Sequence, residues 1–144
     1  MNLEKYFTFL KRNEGKIFDP IRKKWFIETK EEIVRQLMLH YLIYELKYGS
    51  GRIAVEKRIK LGNTIKRFDI VIYDLHIQPM ILIECKSYTL DIKESAIYQI
   101  ARYNITLKAP YLCITNGLIQ NCAYINFTDM KIEKIDSLPY CISG

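Results

Sequence analysis

The segment from residue 80 to residue 115 most constrains the fold of this 144-residue chain. An apolar run begins at Met80, a helical pattern covers residues 91–107, and a second apolar run extends from Pro110 to Thr115. Two strands joined through a helix are expected to lie parallel, because the crossover returns the chain to the same end of the sheet. The segment therefore predicts an α/β fold with at least one parallel strand pair.

Shorter connections elsewhere predict antiparallel pairs. Residues 52–60 alternate between polar and apolar, and a turn at Gly62-Asn63 precedes a strand from Phe68 to Tyr73. A further strand, Ala123 to Phe127, follows a turn at Asn116-Gly117. Together with the parallel pair, these hairpins predict a mixed central β-sheet flanked by helices.

The first helix is predicted from Thr29 to Lys47. Thr29 and Glu32 have the spacing of a capping box, and six apolar residues follow at helical spacing: Ile33, Val34, Leu37, Met38, Tyr41 and Leu42. The second helix is predicted to begin at Asp91 as its cap.

The chain is predicted to be a single domain over residues 1–144, because it has domain length and no linker or repeat. Its N-terminal extension, residues 1–28, is predicted to contain strands at Tyr6 to Lys11 and Lys24 to Ile27 that form a β-hairpin. Residues 29–127 would form the core and residues 128–144 a C-terminal tail.

Two charged residues interrupt the apolar strand that begins at Met80. Glu84 and Lys86 are two residues apart, so they share one face while Cys85 takes the other. A buried charge costs several kcal/mol unless it is paired or binds a metal. Asp69 lies on the preceding strand, which is expected to be a neighbour, so it could lie beside Glu84.

Two adjacent carboxylates repel each other unless a cation lies between them. Mg²⁺ prefers oxygen ligands and needs only one or two carboxylates, so Asp69 and Glu84 are the predicted metal ligands, with Mn²⁺ as an alternative ion. Lys86 would then orient or deprotonate a water, or stabilise a phosphate. The competing interpretation is a structural Glu84–Lys86 ion pair with Asp69 as a strand-edge acid.

This pattern resembles the PD-(D/E)xK nuclease superfamily, although Phe68 stands where that pattern has proline. A wider set of segments is similar to the N-terminal nuclease domain of type I restriction enzyme R subunits and its stand-alone relatives: residues 31–36, 66–69, 84–86, 99–104, 109–112 and 115–117. The resemblance implies a restriction-endonuclease-like core.

The resemblance also implies further site residues. Gln99 and Tyr103 match a Q-x-x-x-Y motif, so Gln99 would point at the metal or a substrate phosphate; alternatively it is a core-edge amide bonded to backbone. The family places an acid on the first helix. Glu32 suits the capping box and, at helical spacing, falls opposite the apolar face of the helix. Glu31 lies nearer the border of that face, so we predict that Glu31 is this acid. A solvated Glu31 paired with Arg35 is the alternative.

These observations predict a Mg²⁺-dependent nuclease that hydrolyses phosphodiester bonds in DNA, with catalytic residues Asp69, Glu84, Lys86, Gln99 and Glu31. The first alternative is a non-catalytic nucleic-acid-binding module that retains the fold. The second is an interaction subunit of a larger restriction, defence or repair complex. The sequence contains no G-x-x-x-x-G-K-[ST], so the motor of a complete R subunit is not encoded in it.

The formal net charge of +6 is compatible with a nucleic-acid partner. Five basic residues could contact phosphates, or be solvated strand and turn residues: Lys57, Arg58, Lys60, Lys66 and Arg67.

Three of the four cysteines lie in apolar runs, which is typical of a reducing cytoplasm. No apolar stretch has the length of a signal peptide core or a membrane span, so we expect a cytoplasmic protein that does not cross a membrane.

Overall fold

The computed structural model describes residues 1–142. A 3₁₀ helix, Glu4–Phe9, opens the chain. Two α-helices follow in the described range, α1 (Lys30–His40) and α2 (Ala96–Leu107). The strands are β1 (Arg12–Asn13), β2 (Lys16–Asp19), β3 (Lys24–Ile27), β4 (Ile53–Leu61), β5 (Thr64–Tyr73), β6 (Pro79–Cys85), β7 (Tyr111–Thr115), β8 (Gln120–Asn126) and β9 (Lys131–Ile135).

The main sheet has six strands in the order β4-β5-β6-β7-β8-β9. Strands β6 and β7, joined through α2, pair in parallel, with Ile83 opposite Cys113. The other four neighbouring pairs are antiparallel. The predicted mixed α/β sheet is therefore confirmed. Strands β1-β2-β3 form a separate antiparallel sheet, in which the predicted strand Lys24 to Ile27 pairs with β2 rather than with Tyr6 to Lys11.

Helix α1 begins where the sequence predicts. The Thr29 side chain accepts a hydrogen bond from the Glu32 N–H at 3.0 Å, which satisfies one of the free donors of the first turn. The Glu32 carboxylate does not return to the cap, and bonds instead to neighbouring side chains. After His40 the helix continues as a π-helical turn, Tyr41–Glu45, so it ends two residues before the predicted Lys47.

Three predictions about elements are wrong. The predicted strand at Tyr6 to Lys11 is largely the 3₁₀ helix, which directs Tyr6 into the core. Helix α2 begins at Ala96, and its N-cap is Ser95 rather than Asp91. The segment predicted as a tail contributes β9, which pairs with β8 and extends the sheet beyond residue 127.

Two hydrophobic clusters lie on opposite faces of the main sheet. The first packs around α1 and includes Ile70, Ile83 and Cys85; we call it the α1-side core. The second packs around α2 and includes Phe68 and Leu82; we call it the α2-side core. Within residues 1–142, no helix combines the length and apolarity that crossing a membrane requires.

Candidate active site

The candidate site lies where strands β5 and β6 stop pairing with each other. Their ladder ends at the Ile70–Ile83 pair. Beyond it, the Cys85 N–H donates to Asp69 Oδ2 at 2.7 Å instead of to a backbone carbonyl. A carboxylate therefore replaces a ladder acceptor, and the Asp69 side chain is fixed between the two strands.

Strand β5 changes face at Asp69. Phe68 packs in the α2-side core, but Ile70 packs in the α1-side core, although residues two apart on a regular strand share a face. The partner strand is irregular at the same level: Glu56 has a φ of 51°, between the paired residues Val55 and Lys57. Left-handed backbone is unfavourable for a residue with a Cβ and is concentrated at functional sites.

Glu84 is the most perturbed acid of the site. Its side chain is buried on the α2 side of β6, opposite to Cys85, as the alternation predicts. Lys66 Nζ lies 3.2 Å from Glu84 Oε1 as an ion pair, and this buried oxygen accepts no hydrogen bond of standard geometry. Burial, followed by the charge of Asp69, raises the pKa of Glu84 to about 7.

The second oxygen of Asp69 is held by a buried arginine. Arg35 Nη2 lies 3.0 Å from Asp69 Oδ1, and Arg35 Nη1 lies 2.9 Å from Glu32 Oε1. Burial disfavours the charged guanidinium, but the neighbouring Glu32 and Asp69 carboxylates outweigh it and raise the pKa of Arg35. Asp69 therefore joins the strand site to helix α1.

The structure places the predicted helix-one acid, Glu31, at the protein surface. Its carboxylate is 3.4 Å from Arg35, which matches the alternative of a solvated i,i+4 pair. Glu32, which the helical wheel placed on the solvent side, is buried. The wheel failed because the N-terminal sheet covers that side of α1.

A buried polar network explains how that side of α1 is covered. Arg22 Nη2 is 2.8 Å from Glu32 Oε1, and Arg22 Nε is 2.7 Å from Asp19 Oδ2. Asp19 also accepts from the Gln36 side chain at 2.9 Å. Of the basic run Arg22-Lys23-Lys24, Arg22 is thus the member that this network holds against α1.

Two of the remaining predicted residues, Lys86 and Gln99, line the same surface depression. Lys86 immediately follows β6 and is exposed, and Gln99 belongs to α2. Its ammonium is not the partner of Glu84; Lys66 is. Tyr103 lies on the other side of Lys66, whose Nζ is 5.2 Å from the ring centroid. The structure thus arranges Glu84, Lys66 and Tyr103 in sequence on one face.

Sequence reasoning missed three contributors to this site: Arg35, Lys66 as the neighbour of Glu84, and buried Glu32. One signal was present, since Glu31, Glu32 and Arg35 have ion-pair spacing on a helix. The contacts of Arg35 with Asp69 and of Lys66 with Glu84 depend on strand packing, which residue spacing does not encode.

Asp69 and Glu84 are the residues that could hold a metal ion. In residues 1–142, no group of three or more histidine, cysteine, aspartate and glutamate side chains has a metal-binding arrangement. Mg²⁺ nevertheless needs only one or two carboxylates, since it retains several waters. The two adjacent buried carboxylates fit such an ion, because a cation between them would relieve both the desolvation of Glu84 and its repulsion by Asp69.

Comparisons with known proteins connect this geometry to a family. The family model described as Type I restriction enzyme R protein N terminus (HSDR_N) matches residues 30–139. Among solved structures, the chain is similar to one described as a fragment of an HsdR subunit of a type I restriction enzyme from Vibrio vulnificus YJ016. That match has 16% identity and a TM-score of 0.40, and covers 60% of this chain and 18% of that chain. A TM-score this low does not support an inference about the present chain. The search of curated proteins found no match.

Proposed function

Because the chain belongs to the family of type I restriction enzyme R protein N termini, we propose that it is a metal-dependent nuclease of the PD-(D/E)xK type. Its reaction would be hydrolysis of phosphodiester bonds in DNA, on a restriction-endonuclease-like core. The family match covers the whole site, since Arg35, Asp69, Glu84, Lys86 and Gln99 all lie between residues 30 and 139.

The buried Glu84 oxygen is the observation that carries the proposal. Glu84 Oε1 is paired with Lys66 at 3.2 Å but accepts no hydrogen bond of standard geometry, and a buried polar atom without a hydrogen bond is rare and calls for a missing ion, water or catalytic role. Glu84 Oε1 lies beside a second carboxylate, at the point where β5 and β6 separate. A purely structural acid would gain more from a hydrogen-bonded partner there.

Asp69 and Glu84 would hold Mg²⁺ or Mn²⁺. When bound, such an ion polarises a phosphoryl oxygen and lowers the pKa of a water. Lys86 adds an exposed ammonium at the end of β6, where it can neutralise charge that develops on the phosphate. Gln99, in the same depression, can donate an amide hydrogen bond to a phosphate oxygen.

Arg35 and Glu32 would act as positioning residues. Arg35 fixes one oxygen of Asp69, and Glu32 fixes Arg35. We therefore assign the part of the helix-one acid to Glu32. Glu31 is half-exposed and reaches only Arg35, so its substitution is expected to have a small effect.

One observation favours the alternative of a binding module without catalysis. Arg35 already supplies a positive charge to Asp69, and Lys66 supplies one near Glu84. Such a site could be electrostatically satisfied without a metal. The chain would then bind nucleic acid on the same face and cleave nothing.

The proposed partners follow from the family. We propose DNA as substrate and a larger restriction or repair complex as the setting, in the cytoplasm. The motor that translocates DNA would be supplied by another protein or segment, because these 144 residues contain no P-loop sequence.

A cleavage assay tests the proposal. Labelled duplex and single-stranded DNA are incubated with the protein in Mg²⁺, Mn²⁺ or EDTA, beside Asp69→Ala, Glu84→Gln and Lys86→Ala. The expected result is cutting that needs a metal and falls by at least about 10² in each variant, the usual cost of losing one electrostatic contribution to catalysis.

Matched controls separate chemistry from charge and folding. Glu133→Gln removes an exposed carboxylate from β9, at the far edge of the sheet, and should leave cutting intact. Glu31→Gln should also be mild, whereas Glu32→Gln should reduce cutting. Metal-dependent cutting that persists in Glu84→Gln would contradict the assignment of Glu84 as a metal ligand. An uncut substrate that still binds in a salt-sensitive manner would favour the binding module.

A further inference from the structure

The β4–β5 hairpin extends beyond the sheet as a two-stranded ribbon. The ladder of β5 with β6 begins at Ile70, so residues 57–68 pair only with each other in the strand pairing of the described residues. Gly62 and Asn63 connect the two strands, and Gly62 has a φ of 62°, which favours glycine at this turn. We call residues 57–68 the cationic ribbon.

The charge of the cationic ribbon is one-sided. Its twelve residues read KRIKLGNTIKRF, which contains five lysines and arginines and no acid. Arg58 and Arg67 lie directly opposite each other. Like charges directly opposite in a sheet are destabilising, and the carboxylate nearest to them by ion pairing in residues 1–142 is that of Glu56, 4.0 Å from Arg67. This arrangement is expected where an anion is bound.

The two faces of the ribbon have different environments. On one face Ile59 packs against the α2-side core, and Lys66 reaches Glu84. On the other face, Arg58, Lys60 and Arg67 are exposed. The ribbon is therefore anchored next to the candidate active site by one face, while the other presents three cations to solvent.

The dimensions of the ribbon fit a groove of duplex DNA. Each ribbon strand has about five residues at ~3.3 Å each, roughly 16 Å in length. The major groove of B-form DNA, about 12 Å wide, admits a two-stranded ribbon. The corresponding groove of an RNA duplex is too narrow for side chains to enter.

The ribbon lacks the side chains that recognise single strands. Proteins that bind single-stranded nucleic acid stack bases on exposed aromatic rings. Phe68 is the only aromatic residue of the ribbon sequence, and it is buried. Phosphate contact by lysine and arginine is the chemistry that remains.

We propose that the cationic ribbon docks in a groove of B-form duplex DNA, with Arg58, Lys60 and Arg67 on the phosphates. The choice of DNA rests on the proposed nuclease function. Phosphate contacts position a duplex without reading its sequence, so the ribbon binds duplex DNA next to the candidate active site with little sequence preference.

A binding experiment in EDTA tests the ribbon independently of cleavage. Fluorescence anisotropy measures the Kd of the protein for a short mixed-sequence DNA duplex, the corresponding single strand and an RNA duplex, over a series of salt concentrations. The ribbon variant is Arg58→Gln/Lys60→Gln/Arg67→Gln. The control variant, Lys24→Gln/Lys131→Gln/Lys134→Gln, removes the same charge from exposed residues outside the ribbon.

The expected results are specific to the ribbon. The wild type should prefer the DNA duplex. The ribbon variant should bind it on the order of 10- to 100-fold more weakly, and the slope of log K against log salt should fall by roughly three, about one for each cation removed from a phosphate. The control variant should lose little affinity. Thermal melts should show the ribbon variant at least as stable as the wild type, because a like-charge pair is removed.

Three results would overturn the inference: equal affinity and salt slope in the ribbon and control variants, a wild-type preference for single strands, or a preference for the RNA duplex. Cleavage is scored separately. Ribbon-dependent binding without cutting contradicts the nuclease proposal alone, whereas cutting with ribbon-independent binding contradicts the ribbon alone.

Discussion

Glu84 is the acid of the candidate site whose ionisation is disfavoured by the fold. Its carboxyl group has a pKa raised to about 7, first by burial and then by Asp69, from an ordinary value of 4.5. At pH values between about 4.5 and about 7, Glu84 is protonated in the folded protein but ionised in the unfolded chain. Stability in metal-free buffer should therefore fall as pH rises from about 4.5 to about 7, by on the order of 2 to 3 kcal/mol.

Glu84→Gln should remove this fall. Urea denaturation in EDTA at about pH 5 and about pH 8 measures the difference, with Glu133→Gln as the exposed control that retains the wild-type dependence. Added Mg²⁺ should restore stability to the wild type at the higher pH and have little effect on Glu84→Gln. A wild type whose stability is unchanged between the two pH values would contradict the burial argument.

Arg35 should be the most costly arginine to remove. Its guanidinium pairs with Glu32 and Asp69 in the interior, so Arg35→Met leaves the buried Asp69 without its cation and Glu32 with only Arg22. Breaking a buried pair in this way costs about 3 to 5 kcal/mol. Arg102→Met, on the exposed side of α2, should cost less than about 0.5 kcal/mol. Similar urea midpoints for the two variants would show that the network adds little to stability.

Residue spacing predicted the faces of β6 but not the partners of its charges. The two-residue period correctly placed Glu84 and Cys85 on opposite sides. The same reasoning considered Lys86 as the partner of Glu84, because it is two residues away. The partner is Lys66, which the β4–β5 hairpin brings into position. The spacing of residues within a strand predicts the face on which each side chain lies. Contacts between strands depend also on the register of strand pairing, which spacing does not give.

The two helices provide a matched test of capping. Thr29 accepts a hydrogen bond at the start of α1, whereas Ser95, the N-cap of α2, has no side-chain cap bond. Both residues are exposed, so packing changes little. Thr29→Ala should cost about 1 kcal/mol, and Ser95→Ala less than about 0.5 kcal/mol. Thermal or urea denaturation measures both, and equal losses would contradict the assigned cap.

Elements with strong periodicity were predictable, and elements defined by packing were not. The apolar runs of β6 and β7 and the pattern between them gave the parallel pair. Strand β9 was missed because Lys131–Ile135 has three exposed charged residues and lies at a sheet edge, with a weak apolar signal. The N-terminal 3₁₀ helix was missed because six residues are too few for a period to be distinguished from a strand.

The N-terminal segment is part of the core rather than an extension of it. Leu3, Tyr6, Leu10 and Ile17 are buried in the α1-side core. Fully burying one such side chain stabilises a protein by roughly 1.5 to 3 kcal/mol, so their sum is comparable to the whole stability of a domain, about 5 to 15 kcal/mol. The sequence placed this segment in a hairpin, but could not show that it covers the polar side of α1.

Removal of residues 1–28 should therefore unfold the protein, although the family match begins only at residue 30. Circular dichroism should show no cooperative melting of the fragment. Phe9→Ser in the full chain is the control: Phe9 is 69% exposed, so this change should be nearly neutral. A fragment that melts cooperatively near the wild-type temperature would contradict the assignment of this segment to the core.

The change of face at Asp69 predicts which residues relatives of this chain should lose together. If Asp69 were deleted, Phe68 and Ile70 would become consecutive, and their opposite faces would then follow ordinary strand alternation. Glu56 occupies the matching position on β4, between Val55 and Lys57. Each strand thus carries one residue more than a regular ladder would hold. These two extra residues, Glu56 and Asp69, lie opposite each other across the strand pair. Relatives that lose one should lose the other, since a single deletion would shift the register of the whole hairpin.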